Sequence, residues 1–214
     1  MVIFDVDGTI LDTSEGLLSA IRFTIQKNKL KQLTESELLT FIGPPVQDSF
    51  KKYYQLSEKE VQRLADDFRE RYKTTDLLKA TPYEGIYDLF QLLVNKNILV
   101  AIATYKRQDY ALQLLEYFKF DSYTDIIYGG DNLNKLKKKD IIAKCLERAD
   151  NIEKKDVLVI GDSKSDGVGA YDNGCDFCCA TYGFGIKIHD DITDLKHVKS
   201  VNNVKEIIDW IETD

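Results

Sequence analysis

Val2-Ile3-Phe4-Asp5-Val6-Asp7-Gly8-Thr9 decides how the rest of this chain is read. A short apolar, β-prone run stops at a carboxylate. Such a run predicts a strand buried on both faces. Asp5 then falls at the strand's carboxyl end, where open α/β sheets carry their chemistry. Asp7 follows two residues on, and Gly8 lets the chain turn sharply just past it. The Thr9 hydroxyl can fix the turn or orient a carboxylate. Two acids this close repel each other unless a cation or a shared proton compensates. Asp and Gly are also ordinary turn residues, so the stretch takes its meaning from what stands further along.

Outward from this strand the pattern turns helical. Leu17, Leu18, Ile21 and Ile25 mark one helix face. Thr34-Glu35-Ser36-Glu37 and Ser57-Glu58-Lys59-Glu60 are capping-box signatures, each opening an apolar-periodic segment. Gly43-Pro44-Pro45 breaks the chain between them. From Thr81-Pro82 onward helix and strand alternate. Strands are predicted over 98–103, 126–128, 157–160 and 176–180. Helix faces come from Ile86, Leu89, Phe90 and Leu93, from Ala111, Leu114, Leu115 and Phe118, and from Ile142, Cys145, Leu146 and Ala149. Val204, Ile207, Ile208 and Ile211 mark a last amphipathic helix. Alternation of this kind predicts an α/β protein, a Rossmann-like, doubly wound parallel sheet. Residues 1–12 and 84–214 form this core, and 13–83 an all-helical domain inserted after the first strand.

Composition narrows the partners. The 214 residues carry 29 basic and 36 acidic side chains, a net charge of −7, which argues against nucleic acid or an anionic membrane as the main partner. No apolar run approaches the roughly 18 residues of a membrane span, and no basic-then-apolar leader is present, so a cytoplasmic protein is expected. Cys145, Cys175, Cys178 and Cys179 do not space like a secreted disulfide framework, and they read as buried, reduced thiols. Oligomeric state is not legible.

Three apolar strands end in polar residues of a telling kind: the first at Asp5, the second at Thr104, the third at Gly161-Asp162-Ser163-Lys164-Ser165-Asp166. A parallel sheet brings these ends to one edge. A lysine-rich segment, Lys135 to Asp140, leads into a helix whose N-terminus adds N–H donors and a positive dipole end. Hard oxygen ligands of this sort suit Mg²⁺, completed by water and a substrate phosphate.

This combination resembles the haloacid dehalogenase-like superfamily of phosphohydrolases. The matching pieces are Asp5-Val6-Asp7-Gly8-Thr9, Thr104, a lysine near 138, and Gly161-Asp162 with Asp166, in the family's order. The resemblance covers essentially the whole chain, with the helical insert as its cap. Phe41-Ile42-Gly43-Pro44-Pro45 and Tyr182-Gly183-Phe184-Gly185 resemble the phosphoglycolate phosphatase and 5′-nucleotidase-like branch. The resemblance implies that Asp5 is the nucleophile, forming an aspartyl-phosphate, and that Asp7 is general acid and then base. It implies that Thr104 and a lysine bind the phosphoryl group. Lys138 fits best, with Lys137 and Lys139 as alternatives. It further implies Mg²⁺ held by Asp5, the carbonyl of Asp7 and Asp162, with Thr9 and Asp166 in support. Specificity is expected from the cap, where Phe41, Gly43 and Pro44 are candidates. An anionic nucleophile must approach an anionic phosphate, so cations must neutralise the site.

A Mg²⁺-dependent phosphatase acting on a small phosphorylated metabolite, phosphoglycolate- or nucleoside-monophosphate-like, is therefore expected. Two rivals stand beside it. Sugar-phosphate mutases of the superfamily typically carry Glu-Asp in the last motif, where this chain has Gly161-Asp162. A non-catalytic binding protein on the same scaffold is favoured by loss of a charged member, and all are present. Haloacid dehalogenases lack the second acid that Asp7 supplies.

Overall fold

The computed structural model describes residues 1–131, 135–150, 152–190, 192 and 194–213. They fall into two compact units, Thr13–Thr81 and Met1–Asp12 with Pro82–Asp214. The change of unit comes at Pro82 rather than after Tyr83, because the Tyr83 N–H donates to the Ile10 carbonyl (3.2 Å) inside the second unit.

The first unit is helical: α1 (Ser14–Lys27), α2 (Glu35–Leu39), α3 (Val46–Tyr53) and α4 (Glu58–Arg71), followed by a π-turn, Tyr72–Asp76. Both capping boxes form. Thr34 and Ser57 take the N–H groups of Glu37 and Glu60, whose carboxylates accept in return from the cap N–H groups at 2.7 and 2.9 Å. One face of α4 buries Val61, Leu64, Ala65 and Phe68. The π-turn ends at a fully buried carboxylate, Asp76. Ion pairs to Arg71 (2.8 Å) and Lys79 (2.7 Å) and the Ser19 hydroxyl (3.0 Å) compensate it. Burial alone would raise the Asp76 pKa, but these partners outweigh it and hold it below the usual carboxylate range. The turn passes so close to α1 that a Cβ on Gly16 would lie 2.2 Å from the Asp76 carbonyl oxygen.

The second unit is built on a parallel sheet of β1 (Val2–Phe4), β2 (Val100–Arg107), β3 (Ile127–Gly130), β4 (Leu158–Gly161), β5 (Asp176–Ala180) and β6 (Lys199–Val201), in the order β3-β2-β1-β4-β5-β6. The helices α5 (Ile86–Asn95), α6 (Gln108–Tyr117), α7 (Lys138–Ala149), α8 (Lys164–Asn173) and α9 (Val204–Thr213) link or follow the strands. This is the doubly wound α/β sheet that the alternation predicts. On α5, Ile86, Leu89, Phe90 and Leu93 are all buried, each stabilising the fold by roughly 1.5–3 kcal/mol. Phe90 stacks on Phe4 of β1 at 4.8 Å. The chain runs outward from β1 through β2 and β3, then crosses back to β4 on β1's other side. That reversal makes a crevice at the carboxyl ends of β1 and β4. Among the described residues, no helix is long and apolar enough to cross a membrane.

Two strands of this sheet depart from expectation, and Thr81–Pro82, expected within the all-helical insert, is a two-residue strand. β6 was not foreseen, since Lys199-Ser200-Val201 is neither an apolar run nor a clear alternation. The strand expected over 98–103 instead starts at Val100 and runs to Arg107, and it is irregular past Ala103. Ala103 lies opposite Tyr128 and Arg107 opposite Gly130, so β2 carries extra residues against β3. β3 accommodates this swelling with glycines. A Cβ on Gly129 would lie 2.5 Å from the Lys106 carbonyl oxygen, and one on Gly130 2.6 Å from that of Tyr105. The Gln108 side chain bridges the gap in the ladder, donating to the Ile127 carbonyl (3.0 Å) and accepting from the Gly129 N–H (2.5 Å).

Candidate active site

β1 delivers Asp5 into the crevice, and the Asp5 N–H still pairs with the Ile160 carbonyl of β4 (3.0 Å). The chain then folds over itself. The Val6 carbonyl accepts from the N–H groups of Thr9, Ile10 and Leu11, with Gly8 at φ +80°. Only glycine fits there for a second reason: a Cβ would sit 2.2 Å from Oδ2 of Asp162. The Thr9 carbonyl accepts from the Tyr182 hydroxyl (2.8 Å), while its own buried hydroxyl has no hydrogen-bond partner among the described residues.

Of the three lysines weighed from the sequence, Lys138 enters the crevice. Its ammonium lies 2.8 Å from Oδ1 of Asp5, 2.7 Å from Oδ1 of Asp166 and 3.0 Å from the Ala103 carbonyl, and the residue is 3% exposed. Lys137 and Lys139 are exposed, the latter 3.7 Å from Asp172. Gly169 on α8 lets α7 come close enough for this reach, since a Cβ there would press on the Lys138 stem at 3.1 Å. Asp166 is gripped from its other side by the Ser163 hydroxyl (2.6 Å) and N–H (3.1 Å), so it buttresses the lysine.

Asp162 ends β4. Both the Phe184 N–H (2.6 Å) and the Gly185 N–H (2.9 Å) go to its Oδ2. That leaves Oδ1 of Asp162, and the second oxygen of Asp5, for a further ligand. Asp5, Asp162 and Asp166 each offer an oxygen within 4.8 Å of the others. Among the described residues Lys138 meets Asp5 and Asp166 and Lys106 meets Asp7, and a dication among Asp5, Asp162 and Asp166 would add the positive charge that clustered carboxylates favour. The oxygen donors suit Mg²⁺. Burial pushes the Asp5 carboxyl up to about 7. Lys138 pulls the other way, and Asp166, Asp162 and Asp7 push with the burial. Burial and Asp166 likewise raise Asp162 to about 6, against the two N–H groups and Lys138. Burial alone would lower the Lys138 pKa, but Asp166 and Asp5 outweigh it and hold it above its ordinary value.

The irregular end of β2 supplies three consecutive groups. The Thr104 hydroxyl accepts from the Lys106 N–H (3.1 Å), which leaves its own hydrogen to donate. The Tyr105 hydroxyl accepts from the N–H of Lys138 (3.0 Å), and its ring lies 5.3 Å from the Lys138 ammonium. The Lys106 ammonium lies 3.0 Å from Oδ1 of Asp7. Tyr105 and Lys106 have no counterpart in the reading of the sequence, and Phe184-Gly185 stands there only in the branch resemblance, without its amides' role at Asp162. Continuing the strand's alternation past Thr104 would have pointed to residue 106.

Asp5, Asp7, Thr9, Thr104, Lys138, Asp162 and Asp166 thus all belong to the sheet unit. Phe41, Gly43 and Pro44 belong to the helical unit. There Phe41 is buried against Phe50 and Tyr53, with ring centroids 5.3 and 5.6 Å away, while Gly43 and Pro44 are exposed. All four cysteines are buried free thiols. Burial raises each, Cys175 to about 11 and the other three to about 12, so they stay protonated.

Known proteins are similar to this chain. A family model described as haloacid dehalogenase-like hydrolase matches residues 2–180. A protein named 5′-nucleotidase from Pseudomonas aeruginosa is 29% identical over 184 residues, 86% of this chain and 83% of its own length. Pyrophosphatase PpaX from Halalkalibacterium halodurans is 26% identical over 98% of this chain and 95% of its own. The crystal structure of a predicted phosphatase from Clostridium acetobutylicum superposes with a TM-score of 0.88 at 31% identity, covering 100% of this chain and 98% of that one.

Proposed function

We propose a function from one premise: this chain belongs to the haloacid dehalogenase-like hydrolase family. It is a Mg²⁺-dependent phosphatase that hydrolyses a small phosphomonoester through an aspartyl-phosphate. The observation that carries this reading is Lys138, bridging Asp5 and Asp166 beside a second strand-end acid, Asp162. A buried carboxylate so compensated can meet a phosphate anion.

Asp5 attacks phosphorus, the bond from phosphorus to the leaving oxygen breaks, and Asp7 gives that oxygen a proton. Asp7 then takes a proton from water as the water attacks phosphorus, and the Asp5–phosphorus bond breaks to release phosphate. The Thr104 hydroxyl donates to a phosphoryl oxygen, and Lys138 balances charge on Asp5 and the phosphoryl group. Asp5, Asp162 and the Asp7 carbonyl would hold Mg²⁺, which supplies positive charge against the phosphate. Asp166 holds Lys138 in place. Gly43 and Pro44, exposed in the helical unit, are candidates for sensing the rest of the substrate.

The name of one relative agrees with the nucleoside monophosphates already expected beside phosphoglycolate, and that of another adds pyrophosphate as a substrate to test. The test is Mg²⁺-dependent phosphate release across that panel. Activity that vanishes in Asp5→Asn supports the reading, and activity that survives it refutes Asp5 as nucleophile. Mass spectrometry after mixing with acetyl phosphate and Mg²⁺ separates the two acids. Asp5→Asn should gain no phosphoryl group, whereas Asp7→Asn should gain one and keep it, lacking the base that activates water. Asp162→Ala should weaken Mg²⁺ binding strongly in calorimetry, and unchanged affinity would exclude Asp162 as a ligand.

A further inference from the structure

Asp7 does its work only if its carboxylate is aimed at the reacting atoms, and a side chain of this length can rotate away. Its side chain is 19% exposed, and the residue lies within a sharp turn, just before Gly8. The Lys106 ammonium reaches it from the neighbouring strand, its side chain 4% exposed and 3.0 Å from Oδ1. The backbone of the same residue holds the Thr104 hydroxyl. Lys106 can do both because β2 swells after Ala103, where Gly129 and Gly130 yield space and Gln108 replaces the lost ladder bonds. Bulges next to active sites commonly re-aim a side chain in this way.

We propose that Lys106 is a positioning residue: it holds Oδ1 of Asp7 so that Oδ2 faces the leaving oxygen, and its charge balances the carboxylate that appears when the proton departs. This inference rests on the phosphatase reading. It concerns only the step in which the bond to the leaving oxygen breaks as that oxygen takes the proton from Asp7.

The test uses two esters of similar shape, phenyl phosphate and p-nitrophenyl phosphate. Phenoxide is the poorer leaving group and depends more on a proton. Single-turnover release of each phenol is measured for the wild type, Lys106→Met, Asp7→Asn and the double variant, with thermal melting to check folding. Lys106→Met should lose at least about tenfold more rate on phenyl phosphate than on p-nitrophenyl phosphate, with KM little changed. In the Asp7→Asn background the same substitution should cost less than about twofold, because both act through one group. Should Lys106→Met fail to fold, Lys106→Gln, which keeps a donor to Oδ1, should show the same selectivity at smaller amplitude. Equal losses on the two esters, a rise in KM alone, or full additivity with Asp7→Asn would overturn the proposal. Hydrolysis of neither ester by the wild type would overturn the phosphatase reading itself, and this inference with it.

Discussion

Asp5 holds its proton more tightly in the folded protein than in the unfolded chain, and this has a signed consequence. Its pKa moves from 3.8 to about 7, and that of Asp162 from 3.8 to about 6. A raised acid contributes stability that is complete below the unfolded value and fades as pH rises through the folded one. The metal-free protein should therefore lose stability from these two groups between about pH 4 and pH 7. Mg²⁺ must displace the same protons, so its stabilising effect should grow over that interval. Thermal melts at pH 5 and pH 8, with and without Mg²⁺, check this. A larger Mg²⁺ gain at pH 8 is expected, reduced in Asp5→Asn. An equal gain at both values would mean that Asp5 and Asp162 do not share the ion.

Among the elements, the swollen end of β2 carries the most chemistry per residue. Gly129→Ala should be felt there, since its Cβ would meet the Lys106 carbonyl at 2.5 Å. The expected result is a destabilisation of about 1–3 kcal/mol in urea, typical of forcing an atom into a packed region. Phosphatase activity should fall by more than the unfolded fraction accounts for. Activity lost only in proportion to unfolding would separate the bulge from the site. This same element marks where the sequence stops being readable. Asp5 and Asp162 are legible because each closes an apolar run, and a parallel sheet gathers strand ends. Lys138 is preferred to Lys137 and Lys139 only through the family resemblance, because the physical choice depends on how closely α7 approaches Gly169 of α8. Lys106 goes unread because Tyr105-Lys106-Arg107 has the composition of a solvated tail, and only carrying the strand's alternation past Thr104 points to it. β6 is missed for a related reason. Its Lys199-Ser200-Val201 is a strand through pairing with Cys178, Cys179 and Ala180, not through propensity.

On the scale of the whole molecule, the chain builds two units with separate cores and changes from one to the other near residues 12 and 82. The buried carboxylate of Asp76 belongs to the helical unit, and its partners among the described residues, Ser19, Arg71 and Lys79, lie in that unit. Asp76→Ala leaves two partly exposed cations uncompensated and should loosen α1 and the π-turn by about 1–3 kcal/mol. Hydrogen exchange should then quicken across residues 14–27 and 72–79 while the amides of β1 and β4 keep their protection. Faster exchange throughout would show that the units open as one. The central place of β1 also has a temporal side. Its ladder partners are Val100–Ile102 and Leu158–Ile160, so this strand cannot be flanked on both sides until some 150 residues more have been made. The helical unit needs nothing beyond Thr81 and can condense during that wait. An apolar strand bearing Asp5 thus waits for its second neighbour after the first is made, and the order of synthesis delays the closing of the crevice until β4 has followed.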